Sequence, residues 1–178
     1  LDKRNQKFQT SDGYRSRFTQ SIPIISETNA ILNGYELNIY QEIVDDMIGS
    51  FTFYARAINS LTNDNVRISE RLFLPSSRLR GFEAGKIGPK DGGDFVGGNY
   101  ASSINMATTL PTVFKDLETL DFKLFLDAAN VWGVDYESSL DESNKIRSST
   151  GIAVDWYTVI GPLSFSYSVP ISKATTDI

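Results

Sequence analysis

The side chains available for chemistry are limited first by two residue types that the sequence lacks. Its 178 residues include no histidine and no cysteine. An imidazole base, a disulfide framework, a thiolate metal site and the commonest zinc and iron sites are therefore excluded. Asp91 and Asp94 lie among glycines, but their spacing fits no EF-hand, and the same glycines lack the helix and Lys-Ser/Thr of a phosphate loop. We expect no catalytic residue, no metal site and no cofactor, and we expect that the protein is not an enzyme.

Recognition rather than catalysis is the chemistry that Leu79-Arg80-Gly81-Phe82 offers. A glycine between arginine and phenylalanine permits a tight turn that presents both side chains from one tip. The guanidinium can fork onto a carboxylate, and the phenyl ring can fill an apolar niche. An ordinary exposed turn is the simpler alternative. The motif lies in a loop from Ser60 to Gly97, and loops of that length inside a compact domain are usually functional or disordered.

Composition excludes several other classes of protein. Seventeen basic and twenty-two acidic residues give a net charge of -5, which argues against an extended nucleic-acid surface. There is no run of about 18 apolar residues, so no transmembrane helix is predicted. The N-terminus, which begins Leu1-Asp2-Lys3, lacks the apolar core of a signal peptide and an initiator methionine. We therefore interpret the chain as part of a longer protein.

The elements that must position the motif are strands, because the dominant pattern has a period of two. Between Leu120 and Trp132, for example, apolar side chains alternate with a row that includes Asp121, Lys123 and Asp127. No helical pattern competes. The strands predicted in this way are Tyr14–Ile25, Tyr35–Val44, Phe51–Asn59, Gly98–Leu110, Leu120–Trp132, Arg147–Tyr157 and Leu163–Ile171.

Alternation alone permits a soluble sandwich as well as a membrane barrel, because each has one polar and one apolar face. Connection lengths favour the barrel. Short turns at Asp45–Gly49 and Thr158–Gly161 alternate with longer loops at Ser26–Asn33, Ser60–Gly97 and Gly133–Lys145, as the two sides of an outer-membrane barrel require. Aromatic residues near strand ends would supply the interfacial girdles: Tyr14, Tyr35, Phe51, Tyr100, Trp132, Trp156 and Tyr157. The pattern favours an all-β, antiparallel transmembrane barrel of the outer-membrane type.

The motifs in chain order resemble one known family. Leu79-Arg80-Gly81-Phe82, followed by Ile87-Gly88-Pro89 and Gly97-Gly98-Asn99, resembles the signature loop of the BamA-type outer-membrane assembly factors, also called the bacterial surface antigen family. Leu79 departs from the family's usual valine. Further similarities are Phe125-Leu126-Asp127-Ala128, Ile146-Arg147-Ser148-Ser149-Thr150-Gly151, Gly161-Pro162-Leu163-Ser164-Phe165, and an N-terminal hairpin formed by Lys3-Arg4-Asn5 and Thr10–Tyr14.

The resemblance implies a barrel of about sixteen strands, within the range of outer-membrane barrels. Residues 1–178 would form the C-terminal part, a partial barrel of about seven strands with an inward-folding extracellular loop at 60–97. Arg80 would dock on Asp127 of the polar face, where Lys123 could compete. Leu79, Gly81 and Phe82 complete the docking motif, and Ile87, Gly88 and Pro89 support it. The family's second acidic partner is replaced here by Ala107, so Asn105 and Ser103 would supply weaker contacts.

The same resemblance implies an insertase that assembles β-barrel proteins in the outer membrane of a Gram-negative bacterium. Its partners would be unfolded outer-membrane proteins, outer-membrane lipid and, through N-terminal repeats outside this chain, accessory lipoproteins; nucleic acid would not be one. A two-partner-type secretion pore of the same barrel family is the alternative. A passive porin and a soluble β-protein are further alternatives.

Overall fold

A computed structural model of the chain describes residues 1–7, 9–23, 29–111, 119–135, 145–175 and 177. Nine strands occur in the described residues: β1 (Gly13–Ser21), β2 (Ala30–Val44), β3 (Met47–Ser60), β4 (Lys90–Asp91), β5 (Asp94–Phe95), β6 (Tyr100–Thr109), β7 (Leu120–Trp132), β8 (Arg147–Thr158) and β9 (Gly161–Ser172). Two single-turn 3-10 helices, Ile68–Glu70 and Ser76–Arg78, also lie in the loop between β3 and β6. In the described part of the chain, no helix is long and apolar enough to cross a membrane.

Seven strands form one antiparallel sheet in the order β1-β2-β3-β6-β7-β8-β9. Strands that follow one another in this order are also consecutive along the chain, except that the loop between β3 and β6 contains the hairpin β4-β5. That hairpin forms a separate two-stranded sheet. The N-terminal segment pairs with the start of β1, where Lys3 N donates to Tyr14 O at 2.8 Å. The predicted hairpin between residues 3–5 and 10–14 is thus present.

The two faces of the sheet are inverted relative to a soluble protein. The outer face carries large apolar side chains that remain exposed, such as Phe165 at 61% and Tyr167 at 72%. The inner face carries polar side chains that are buried, including Asp127, Ser149 and Ser103. Only a surface that faces lipid stabilises such an arrangement, because in water the exposed apolar area would be unfavourable. The chain folds as part of an outer-membrane-type β-barrel.

Several predicted boundaries were wrong. Residues 30–33 belong to β2 and not to a loop, because they pair with Asn59, Ser60 and their neighbours on β3. The turn after β2 is only Asp45-Asp46, and β3 begins at Met47. β1 ends at Ser21, and Ile24 and Ile25 lie outside the described residues.

Candidate functional site: a loop docked on the inner face

The loop between β3 and β6 covers the inner face of the sheet. Two parts of the loop are joined by a two-bond bridge, in which Leu72 N donates to Gly98 O at 2.8 Å and Gly98 N donates to Leu72 O at 3.0 Å. Its apolar side chains join strand residues in one buried cluster, which contains Val66, Leu72, Leu74, Leu79, Phe82 and Ile87 from the loop and Tyr54, Ile58, Ala101, Ala129 and Val131 from the strands. The loop is therefore a packed element rather than a free surface turn.

Arg80 and Asp127 form a bidentate ion pair at the tip of this loop, which we call the loop fork. Arg80 Nε lies 2.7 Å from Asp127 Oδ2, and Nη2 lies 2.7 Å from Oδ1. The backbone N of Arg80 also donates to Oδ2 at 3.2 Å. The guanidinium stacks 3.4 Å from the ring centroid of Phe125, two residues earlier on β7. The structure thus brings together the two residues that the motif and the alternation single out.

Asp127 is fully buried, whereas the Arg80 side chain is 21% exposed. A buried carboxylate requires compensating donors, and here both oxygens have them. Besides Arg80, Oδ1 accepts from Asn105 Nδ2 at 2.8 Å. The same Asn105 amide also donates to Arg78 O at 2.9 Å. Asn105 is therefore a neutral contact to both the carboxylate and the loop, near the position where Ala107 offers no acidic side chain.

The other residues expected near this pair have distinct places. Ser103 does not reach the carboxylate and hydrogen-bonds instead with Asn105 Oδ1 at 3.2 Å. Lys123 does not compete for Asp127, because its Nζ lies 2.5 Å from Asp155 Oδ2 on β8. That pair lies further from the long-loop end of the sheet.

The rest of the docking motif fits closely against the inner wall. Leu79 is 2% exposed and Phe82 is 7% exposed. Gly81 has a φ of +88°, and a Cβ there would lie 2.9 Å from Ser168 Oγ on β9. Glycine is required both for the left-handed backbone and for the close approach.

The supporting segment packs against β7. Ile87 is buried, and Gly88 has a φ of +107°. A Cβ on Gly88 would lie 3.0 Å from Val131 Cβ and 3.1 Å from Val131 O. Pro89 O then accepts from Val96 N at 3.1 Å, which closes the base of the β4-β5 hairpin.

Comparison with known proteins assigns this architecture. A profile of the Omp85 superfamily domain matches residues 1–178. The chain belongs to the Omp85 superfamily. The structure also resembles the crystal structure of BamA from Haemophilus ducreyi lacking POTRA domains 1–3, with a TM-score of 0.86, 25% identity, and coverage of 99% of this chain and 38% of that one.

Relatives of this Omp85 chain occur in bacteria and eukaryotes. The outer membrane protein assembly factor BamA of Neisseria meningitidis serogroup B is 29% identical, over 56% of this chain and 16% of the relative. A SAM50-like protein of Schizosaccharomyces pombe is 28% identical, over 68% of this chain and 27% of the relative. The human sorting and assembly machinery component 50 homolog is 25% identical, over 99% of this chain and 41% of the relative. The chain thus spans less than half of each of these relatives.

Two further arginines of the Omp85 loop make contacts that sequence reasoning missed. Arg78 Nη2 lies 2.7 Å from Glu36 Oε2 on β2, and its guanidinium carbon lies 4.5 Å from the Tyr54 ring centroid. Arg71 Nη2 donates to Asp135 Oδ1 at 3.1 Å, and Asp135 also accepts from Val66 N. Three arginines interspersed with three leucines and a phenylalanine in residues 71–80 were the available signal, because each arginine needs a partner if this part of the loop is buried.

A second buried fork, also missed, joins β8 to the segment that follows β9. Arg147 Nε and Nη2 each lie 2.9 Å from an oxygen of Asp177. Both side chains are 0% exposed. Nη1 of Arg147 also donates to Asn130 Oδ1 at 2.7 Å and to Lys145 O at 2.8 Å. No local motif marks this pair, since its two residues lie on different segments.

These contacts hold segments in place and contain no nucleophile–base pair. Among the described residues, no group of three acidic side chains could hold a metal ion. The site is best described as a docking site in which charged forks and apolar packing fix a loop inside the barrel.

Proposed function

We propose that the protein is an insertase that assembles β-barrel proteins into the outer membrane. The observation that carries the proposal is the inward loop, fixed by the Arg80–Asp127 fork on the inner face of an outer-membrane-type barrel. The chain shares its superfamily and fold with proteins that are named assembly factors in a bacterium and assembly-machinery components in a eukaryote.

The physical basis of such an activity lies in backbone hydrogen bonding. A client strand that enters lipid unpaired leaves N–H and C=O groups unsatisfied, at several kcal/mol each. A barrel that offers strand pairing at the membrane, and that thins the bilayer nearby, lowers this cost. The docked loop would serve by maintaining the shape of the lumen while the wall opens.

In this proposal Arg80 and Asp127 are structural residues and the protein is not an enzyme. The fork satisfies a buried carboxylate, and no substrate bond is made or broken. The clients are unfolded outer-membrane proteins, and outer-membrane lipid is the medium. Accessory lipoproteins would bind parts of the intact protein outside this chain. The outer membrane in question would be that of a Gram-negative bacterium.

The test is depletion of the intact protein in its native cell. Folded porins are then measured by their heat-modifiable mobility on gels, because folded and unfolded barrels migrate differently. We expect a broad loss of folded porins, rescue by the wild-type gene, and poor rescue by Arg80→Ala. Rescue by Lys90→Ala, which removes a positive charge from the surface hairpin of the same loop, is the matched control.

A different outcome would favour the secretion pore. If folded porins persist and one secreted protein is lost from the medium, the insertase proposal is wrong. If neither the folded porins nor a secreted protein is lost, the result would favour a passive barrel.

A further inference from the structure

The outer face has a groove where the large apolar side chains give way to small ones. It follows the part of β3 nearest the long loop, which we call the upper part, and Ala55 and Ala57 form its floor. Tyr35 and Phe18 flank one side, and Tyr100 and Trp132 flank the other. The groove has a volume of about 290 Å³, near the lower end of the range of ligand-pocket volumes. This volume can hold part of an acyl chain but not a whole lipid.

The walls of the groove are held in place by aromatic contacts. The rings of Tyr100 and Trp132 stack with centroids 5.8 Å apart. On the other side, Tyr35 and Phe53 lie 6.3 Å apart in a tilted arrangement. Phe53 is the next outward residue of β3 from Ala55 toward the short turns. The recess is therefore supported by packed rings and does not depend on a mobile side chain.

The upper end of the groove is polar. Gln20 Nε2 donates to Asn33 Oδ1 at 2.7 Å, and Tyr100 Oη donates to Asn59 Oδ1 at 3.0 Å. All four side chains belong to outward positions beside the ends of β1, β2, β3 and β6. Their amides keep further donors and acceptors that can reach a lipid headgroup or its ester groups. The groove thus changes from polar to apolar in the direction in which a lipid enters a bilayer.

We infer that this groove binds an acyl chain of a membrane lipid, with the glycerol or headgroup region against the amides at its upper end. The groove is continuous with the lipid-facing surface, so lipid is the medium already in contact with it. A recess in that surface must be filled by chain atoms, because an empty one forfeits dispersion contacts. In one wall, Tyr100 begins β6 and Trp132 ends β7, at the strand ends where tyrosine and tryptophan favour the interfacial level of a membrane.

Trp132 in the groove wall and Trp156 on β8 provide an internal comparison. Both side chains belong to the outer face, but Trp156 lies at the opposite end of the sheet, outside the groove. The intact protein is reconstituted in phosphatidylglycerol vesicles with increasing shares of a lipid brominated on its acyl chains, which quenches tryptophan on contact. Subtracting the Trp132→Phe or Trp156→Phe signal from wild type isolates each residue.

We expect quenching of Trp132 to reach half its final extent at a lower brominated share than quenching of Trp156. Ala57→Leu, which fills the floor, should remove that difference. Ala128→Leu, the same enlargement on the outer face of β7, should leave it intact. Gel mobility verifies folding of each variant, and if Ala57→Leu does not fold, the wild-type comparison still decides. Parallel quenching of the two tryptophans, as expected of an unselective lipid layer, would overturn the inference, as would an unchanged preference in folded Ala57→Leu.

Discussion

Two buried arginine–carboxylate forks attach connecting segments to the inner face. They differ in which partner, the arginine or the carboxylate, is on the strand. In the first, the arginine is on the loop and the carboxylate, Asp127, is on β7. In the second, Arg147 is on β8 and the carboxylate, Asp177, is on the segment after β9. A charge on a strand cannot leave the wall, whereas one on a connecting segment can move toward water. The cost of breaking each pair should therefore depend on which partner remains.

The two forks also differ in what supports them. The loop fork is one contact among many, since Leu79 and Phe82 beside it belong to the buried cluster. The second fork has nearby neutral oxygens instead, from Asn130 and Lys145. Loss of the loop fork should thus spread to apolar packing, while loss of the second should remain local.

Arg80→Ala should have the largest effect. It leaves Asp127 buried with only the Asn105 amide and the backbone N of residue 80 as donors, and the unfolding free energy should fall by about 3–5 kcal/mol. Urea unfolding of the intact protein in lipid vesicles measures this, and protease cleavage within residues 61–99 reports release of the loop. Lys90→Ala is the control.

The reciprocal change sharpens the comparison. Asp127→Ala leaves Arg80 on the loop, where its partly exposed guanidinium can turn to water, so the loss should be smaller than for Arg80→Ala. An equal or larger loss for Asp127→Ala would contradict the rule drawn from the two forks.

Asp177→Ala should come next, with a loss of about 1.5–3 kcal/mol, typical of a hydrogen bond to a charged group. It removes the carboxylate beside Arg147, which stays buried on β8 next to the acceptors Asn130 Oδ1 and Lys145 O. Arg147→Met should cost less, because Asp177 is on a segment that can move into solvent. Ser172→Ala, which removes a neutral hydrogen bond to Ile146 O at the end of β9, is the control in the same urea measurement. A larger loss for Arg147→Met would reverse the expected order.

Gly88→Ala tests close packing of the loop apart from its charges. Both Gly88 and Gly92 have positive φ, +107° and +58°, but a Cβ meets Val131 only at Gly88 and has nothing within 4 Å at Gly92. Gly88→Ala should be less stable than Gly92→Ala by about 1–3 kcal/mol, the usual cost of overpacking. Equal urea midpoints for the two variants would show that the loop is not pressed against β7 at this point.

The loop fork could be predicted from sequence because two independent signals converge on it. The motif singles out Arg80, and the period of two places Asp127 on the polar face of β7. The alternation also predicted the seven strands of the sheet, since the membrane requires an apolar outward row on each of them. Periodicity and motif both act locally, so both can be seen without the structure.

Other features depend on contacts between distant segments. The Arg147–Asp177 fork joins residues that no short motif connects. Residues 30–33 include Asn33 and precede Gly34, which suggests a turn, yet pairing with β1 and β3 holds them in a strand. Ala129 and Val131 interrupt the polar row of β7 because the loop packs on them. Strand propensity and alternation do not contain this information, since the loop that causes it lies elsewhere in the chain.

The smallest effect is expected at the Lys123–Asp155 pair, which lies nearer the short turns than the Arg80–Asp127 pair does. Lys123 and Asp155 lie on neighbouring strands with side chains 25% and 20% exposed, and their hydrogen bonds join β7, β8 and β9. Lys123→Gln, which removes this ion pair, should change the unfolding free energy by less than about 1 kcal/mol, because partly solvated ion pairs contribute little to stability. Added salt should reduce even this difference while leaving that of Arg80→Ala largely unchanged, since buried pairs are screened much less. Urea midpoints of both variants at low and high salt measure the contrast. Equal salt sensitivity would mean that the Arg80–Asp127 pair is as accessible to solvent as the Lys123–Asp155 pair.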